Sequence, residues 1–339
     1  MLFEKKAAKK NIVQQEEDET SYLSPAASYF KTRILGKNTG DFVFENITRL
    51  FAFFLLSFVA VMVYEMVRTS IPSIEKFGWG FITSINWDPV HDKYGALPFI
   101  FGTLYSSLAA LLIALPLSVG IAIFLSEFAP KWLEQPVSLL VELLAAIPSI
   151  VYGLFGIFVL VPFLRKTIEP FLGKHLGFLF LFQGPPYGLG MLAAALILTI
   201  MILPIITSIS RDIMKSIPDT QREAAFALGA TKWEVVKVVL TGAKSGILGA
   251  TLLGLGRAVG ETMAVTMVIG NTPAISFSLF DPGHTMASVL ANEFTEATSD
   301  LYISSLIEIA LLLFVITLIL NAVARLIVWS VTTKYYKGY

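Results

Sequence analysis

The sequence predicts an all-α integral membrane protein with six transmembrane helices. Three observations carry that expectation. Apolar residues make up 55% of the 339 and charged residues only 15%, where a soluble protein carries about 25% charge. Six stretches reach the length of about 20 mostly apolar residues that a helical crossing of the bilayer needs. Lys and Arg crowd into alternate loops, as they do on the cytoplasmic side of membrane proteins.

The six spans are expected at 47–67, 99–125, 137–164, 189–209, 246–270 and 303–331. The first is too long, and begins too far along the chain, to be a cleaved signal peptide, and no small-residue cleavage site follows it. Lys5, Lys6, Lys9, Lys10, Lys31, Arg33 and Lys37 precede it, and Lys131 falls between the second and third spans. Arg211, Lys215, Arg222, Lys232, Lys237 and Lys244 lie between the fourth and fifth, and Lys334 and Lys337 follow the sixth. The opposite side holds fewer, among them Lys76, Lys93, Arg165, Lys166 and Lys174. Both termini are therefore expected in the cytoplasm. The loop 271–302 has Asp281, Glu293, Glu296 and Asp300 but no Lys or Arg, and is expected to face a partner outside.

Residues 1–45 read as a weakly ordered cytoplasmic tail, in which a Lys-rich start runs into the polar tract QQEEDE at 14–19, with too little apolar surface to bury. The transmembrane domain is expected at 46–334 and a short cytoplasmic tail at 335–339. Zero net charge gives no bias toward nucleic acid. The absence of cysteine removes disulfides, thiolate metal sites and thiol nucleophiles. His91, His175 and His284 stand isolated on outward loops, so no metal site is expected. No GxxxxGK[ST], no HExxH, no Ser/His arrangement and no paired intramembrane aspartates occur. The expectation is a chain with no catalytic residues and no cofactor of its own.

The inward connection 211–243 does not read as a linker. Pro218 suits a first helical turn, and Asp219 complements the positive end of the helix dipole. Ala224, Ala225, Ala227 and Leu228 are strong helix formers, and Gly229 suits a stop. Thr231 and Glu234 form a capping-box pattern that starts a second helix. Such a knob suits an amphipathic helix on the membrane surface or a docking element for a cytoplasmic subunit, and composition divides these evenly.

The fifth span contains GRAVGETMAVTMVIGN at 256–271. Arg257 and Glu261, four apart on a continuous helix, share a face, and each charge costs about 2.5–3.5 kcal/mol at the bilayer centre. They fit a mutually neutralising pair that fixes packing, or a transport site in which the guanidinium fork receives an oxyanion. There Glu261 would hold the arginine at rest and accept a proton-bearing phosphate oxygen. Gly242, Gly246, Ala250 and Gly254, and likewise Gly256 and Gly260, recur every four residues and let another helix approach closely. Pro116, Pro148 and Pro204 are expected as kinks inside spans. Glu65, Glu142 and Glu308 are expected near interfaces, and Trp79, Trp87, Trp132 and Trp329 in interfacial belts.

EAAFALG at 223–229 resembles the EAA signature of permease subunits of ABC importers. In that family the loop supplies the coupling helix that seats in a groove of the ATPase. The family's Ile-x-Leu-Pro end is replaced here by Val239, Leu240, Thr241 and Gly242. GRAVGETMAVTMVIGN resembles the signature of the PstC family, permease subunits of the bacterial phosphate-specific importer. WDP at 87–89, GALPFIFGTLYSS at 95–107, SEFAP at 126–130, AAIPSIVYGLFG at 145–156 and ANEFTEA at 291–297 agree with it. The likeness runs from the first span to the end. Thr262-Met263-Ala264 stands where the sister PstA family has Thr-Ala-Pro. The resemblance implies a type I ABC importer permease in a bacterial plasma membrane. It implies a PstA-like second permease, two PstB-like ATPase subunits that hold the ATP and Mg, and an outer PstS-like phosphate-binding protein. It assigns coupling to Glu223, Ala224, Ala225 and Gly229, and the phosphate pathway to Arg257 and Glu261. An ion-coupled secondary anion carrier is the alternative, but a lone carrier needs no docking knob.

Overall fold

A computed structural model describes residues 39–336; most of the expected N-terminal tail lies outside them. Two compact units divide at Tyr64–Glu65. Helix α1 (Thr39–Phe77) runs from the first unit into the second. Within the first unit Phe44, Phe51, Phe53, Phe54 and Phe58 are all exposed, an apolar surface that only lipid or another apolar chain can cover.

In the second unit follow α2 (Leu97–Ile123), α3 (Lys131–Ala146), α4 (Ser149–Leu176), α5 (Met191–Ser216), α6 (Asp219–Ala227) and α7 (Lys232–Val259). The short α8 (Met263–Val268) and α9 (Met286–Glu293) precede α10 (Asp300–Tyr336). Among the described residues six helices are long and apolar enough to span: α1, α2, α4, α5, α7 and α10.

The third span differs from expectation. Pro148 is no kink within it but its boundary. A residue before proline is driven out of the helical region, and Ile147 is extended, with ψ 129°. The stretch expected to begin the span becomes α3, which is amphipathic, with Glu142 in an ion pair to Arg211 (3.2 Å). The span starts at Ser149 and continues to Leu176. Pro116 and Pro204 do lie inside α2 and α5.

Helix α5 is the most buried span and packs against both α2 and α7. Ile197, Ile202 and Ile206 meet a core that includes Ala110, Ala114, Ala250 and Ala258. Between lipid-soluble helices close packing and interhelical hydrogen bonds replace hydrophobic drive. Thr199 donates to the Ala110 carbonyl (3.2 Å) and Ser118 to the Leu203 carbonyl (3.2 Å). The expected small-residue stripe of α7 faces α5: a Cβ on Gly246 would stand 2.5 Å from Ile213 Cδ1, and one on Gly254 2.8 Å from Ile206 Cδ1. Gly256 and Gly260 meet no neighbouring helix within 4 Å.

The chain between α8 and α9 folds back over the start of α5. The backbone N–H groups of Gly190, Met191 and Leu192 donate to the carbonyls of Val268 (3.0 Å), Asp281 (3.1 Å) and Leu279 (2.7 Å). Three N–H groups at a buried helix start are thereby satisfied by backbone carbonyls. Trp87, expected in a belt, instead packs edge-on against Tyr94 and Phe99, with ring centroids 5.0 and 4.9 Å away. Trp79, Trp132 and Trp329 are exposed. Glu293 accepts from Trp87 Nε1 (2.7 Å) and the Tyr302 hydroxyl (2.6 Å), so part of the acidic stretch 271–302 serves internal structure. A further expectation changes: His284 is buried, its Nδ1 2.6 Å from Ser288 Oγ. Glu308, early in α10, is buried as well.

Candidate functional site

The stretch 246–270, expected as the fifth span, is not one helix: the span α7 lies earlier, at Lys232–Val259. Helix α7 ends at Val259, Gly260 caps it with φ −90° and ψ 0°, and α8 starts at Met263. Glycine weakens the helix, and Thr262, which donates to the Gly260 carbonyl (3.3 Å), competes for its backbone. Arg257 and Glu261 therefore do not share the face of a continuous helix. Arg257 is exposed in the last turn of α7, while Glu261 is buried beyond the break. The Glu261 carboxylate accepts a long bond from the Ala264 N–H (3.4 Å) at the start of α8. Among the described residues no ion pair joins Arg257 to a carboxylate.

This break packs beside the one at Ile147–Pro148. A Cβ on Gly153 of α4 would stand 3.2 Å from Ala264 Cα, and one on Gly156 2.6 Å from Val268 Cγ1. Only glycine allows α4 to lie so close on α8. Across the first break the Tyr152 hydroxyl donates to the Leu144 carbonyl (2.7 Å). Arg257 thus stands in the last turn of α7, beside the Gly260–Thr262 break. Among the described residues no three His, Asp or Glu side chains could hold a metal ion.

The connection 211–243 folds as its residues predict, although its neighbours extend further than expected, so that only 217–231 leaves the long helices α5 and α7. Pro218 precedes α6 and Asp219 begins it. Gly229 adopts φ +84°. Its N–H donates to the Phe226 carbonyl (2.9 Å) and that of Ala230 to Ala225 (3.1 Å), the bond pair of a Schellman stop. Glu234 Oε2 accepts from the Thr231 N–H and hydroxyl (2.8 Å each). With no proline at 239–242, α7 runs on unbroken, and a Cβ at Gly242 would lie 3.1 Å from Ile217 Cδ1. Glu223 and Ala224 are exposed and Ala225 is half-buried; Leu228 is 90% exposed. Docking is thus possible on one face of α6.

The other face carries a partnership the sequence does not mark. Arg222, legible only as a loop charge, lies against Glu127 of the SEFAP stretch at the end of α2, with Nη2 to Oε1 at 2.9 Å.

Residues 115–332 match the family described as "Binding-protein-dependent transport system inner membrane component", which defines the class as a multi-pass membrane subunit of a transport system. The curated "Phosphate transport system permease protein PstC" of Mesorhizobium japonicum is 47% identical, over 87% of this chain and 91% of its own length. That of Pasteurella multocida is 45% identical over 90% and 96%. The "Probable phosphate transport system permease protein PstC" of Methanocaldococcus jannaschii is 38% identical over 84% and 91%. The chain belongs to this permease family, on its PstC branch. A chain of the MetNI methionine ABC transporter, solved in inward-facing conformations, shares the fold at TM-score 0.51 and 18% identity, covering 69% of this chain and 94% of that one.

Proposed function

We propose that this chain is a membrane subunit of an ATP-driven importer of inorganic phosphate, working by alternating access. One observation supports the pathway above others: Arg257 is exposed within a span, beside two helix breaks, with no carboxylate paired to it among the described residues. An unpaired guanidinium in a span favours an anionic visitor, and its planar fork suits two oxygens of a phosphate. Glu261, buried close by in sequence, accepts the hydrogen that a phosphate oxygen carries at neutral pH and a sulfate oxygen lacks.

The chain holds no cofactor in this reading. It pairs with a homologous second permease, two ATPase subunits that bind ATP and Mg, and an outer phosphate-binding protein, with both termini in the cytoplasm. Glu223, Ala224, Ala225 and Gly229 seat α6 in the ATPase. ATP binding closes the ATPase pair, the coupling helices follow, and the gate opens outward to accept phosphate. The relatives lend the secondary-carrier alternative no support. ATP-dependent phosphate uptake by the assembly in vesicles tests the proposal. Uptake by the chain alone without an ATPase would overturn it, and unchanged uptake with Arg257→Ala would remove that residue from the pathway.

A further inference from the structure

We infer that Arg222 and Glu127 form the joint that carries movement of the coupling helix into the helices behind it. The inference rests on the docking reading of α6, but concerns residues that reading does not use. Arg222 stands next to Glu223 in sequence yet points the opposite way, with its side chain 16% exposed and that of Glu127 9%. Its Nε and Nη2 hold the two oxygens of Glu127 at 3.2 and 2.9 Å. Nη1 donates to the Ile217 carbonyl (2.7 Å) and to Asp219 (3.0 Å), and Nη2 to the Met214 carbonyl (2.9 Å). One guanidinium therefore ties three parts together: α6 that bears it, the last turn of α5, and the wide turn Phe124–Phe128 that ends α2.

The chemistry suits a joint rather than a surface contact. A bidentate pair fixes direction as well as distance, and lysine cannot reproduce the fork. Low exposure sets it apart from an exposed pair, which contributes little. The Met214 and Ile217 carbonyls at the end of α5 receive further donors of the same guanidinium. From the joint, Lys215 to Glu134 and Arg211 to Glu142 bind the end of α5 to α3. Helix α3 ends at the Ile147–Pro148 break on which the candidate site is built. A push on α6 is thus not absorbed at its base. It moves α2 and α5 together, and through α3 it reaches the break.

The test uses the complete importer in proteoliposomes, with phosphate uptake and ATP hydrolysis measured together for Arg222→Ala, Arg222→Lys, Glu127→Ala and the double alanine variant. The ATPase chains are expected to co-purify with all four and to hydrolyse ATP near the parent rate. Phosphate moved per ATP falls about tenfold in each single alanine variant, and no further in the double one, because the two residues act as a unit. Arg222→Lys falls between the parent and Arg222→Ala. Unchanged uptake per ATP in both single variants, or losses that multiply in the double variant, would overturn the inference. So would dissociation of the ATPase from the Arg222→Lys complex, since Arg222 would then serve docking. Absence of ATP-driven phosphate uptake by the parent assembly sinks the function proposal and the inference together; normal parent uptake with indifferent variants sinks the inference alone.

Discussion

Gly229 offers a separation of backbone conformation from side-chain contact. At φ +84° it occupies the left-handed region, and a Cβ there would meet nothing within 4 Å. Replacement therefore costs only backbone energy within this chain. Alanine in the left-handed region costs about 1–2 kcal/mol, which multiplies the population of the opened turn by about 5–30. Asparagine tolerates the region better and a β-branched residue worse. The expected order of turn stability is Gly, Asn, Ala, Val. The assay is amide hydrogen exchange over 224–231, because the Gly229 and Ala230 N–H groups are protected by the Schellman bonds and exchange through local opening. Uptake per ATP by the assembled importer should fall in the same order. If alanine is protected as well as glycine while asparagine is not, the order follows side-chain size. Gly229 would then be there to leave room for a partner, and the conformational reasoning would be wrong.

Other outcomes follow from the same structure. Arg257→Ala abolishes phosphate uptake while the ATPase chains still co-purify. Glu261→Gln narrows the preference for phosphate over sulfate in competition uptake. Gly256→Ala, with open space at its Cβ, stabilises the isolated chain by about 0.5–1 kcal/mol; Gly254→Ala gains the same helix propensity but overpacks on Ile206 at about 1–3 kcal/mol and lowers the unfolding midpoint in detergent. Burial pushes the His284 imidazole down to about 4, below its unfolded value of about 6.5. The unfolded chain then takes up a proton first as pH falls. Stability is full above about 6.5 and drops by about 3 kcal/mol on the way to pH 4; His284→Gln flattens that slope in a pH series of thermal unfolding.

Much of this architecture is legible in the sequence, and the departures have physical causes. Apolar length finds six spans because the bilayer demands it of every crossing helix. Hydropathy does not register interruptions, since Ile147–Pro148 and Gly260–Thr262 both sit in stretches whose average is apolar. Pro148 reads equally as a kink or as a boundary until its neighbours are placed. The local chemistry of α6 and α7 is legible almost residue by residue, because Pro218, Gly229, Thr231 and Glu234 act on their own backbone within a few positions. The Gly242–Gly254 stripe announces a close neighbour but not which one. The Arg222–Glu127 pair is invisible for the opposite reason: its partners are 95 residues apart, and each alone is a common surface charge.

The chain folded over the start of α5 has a consequence for how tightly an anion is held. Three uncovered N–H groups at the positive pole of the most buried helix would make a deep electrostatic well. Here the carbonyls of Val268, Leu279 and Asp281 quench that pole. The start of α5 therefore offers an anion no dedicated cradle, although it is the positive end of the most buried span.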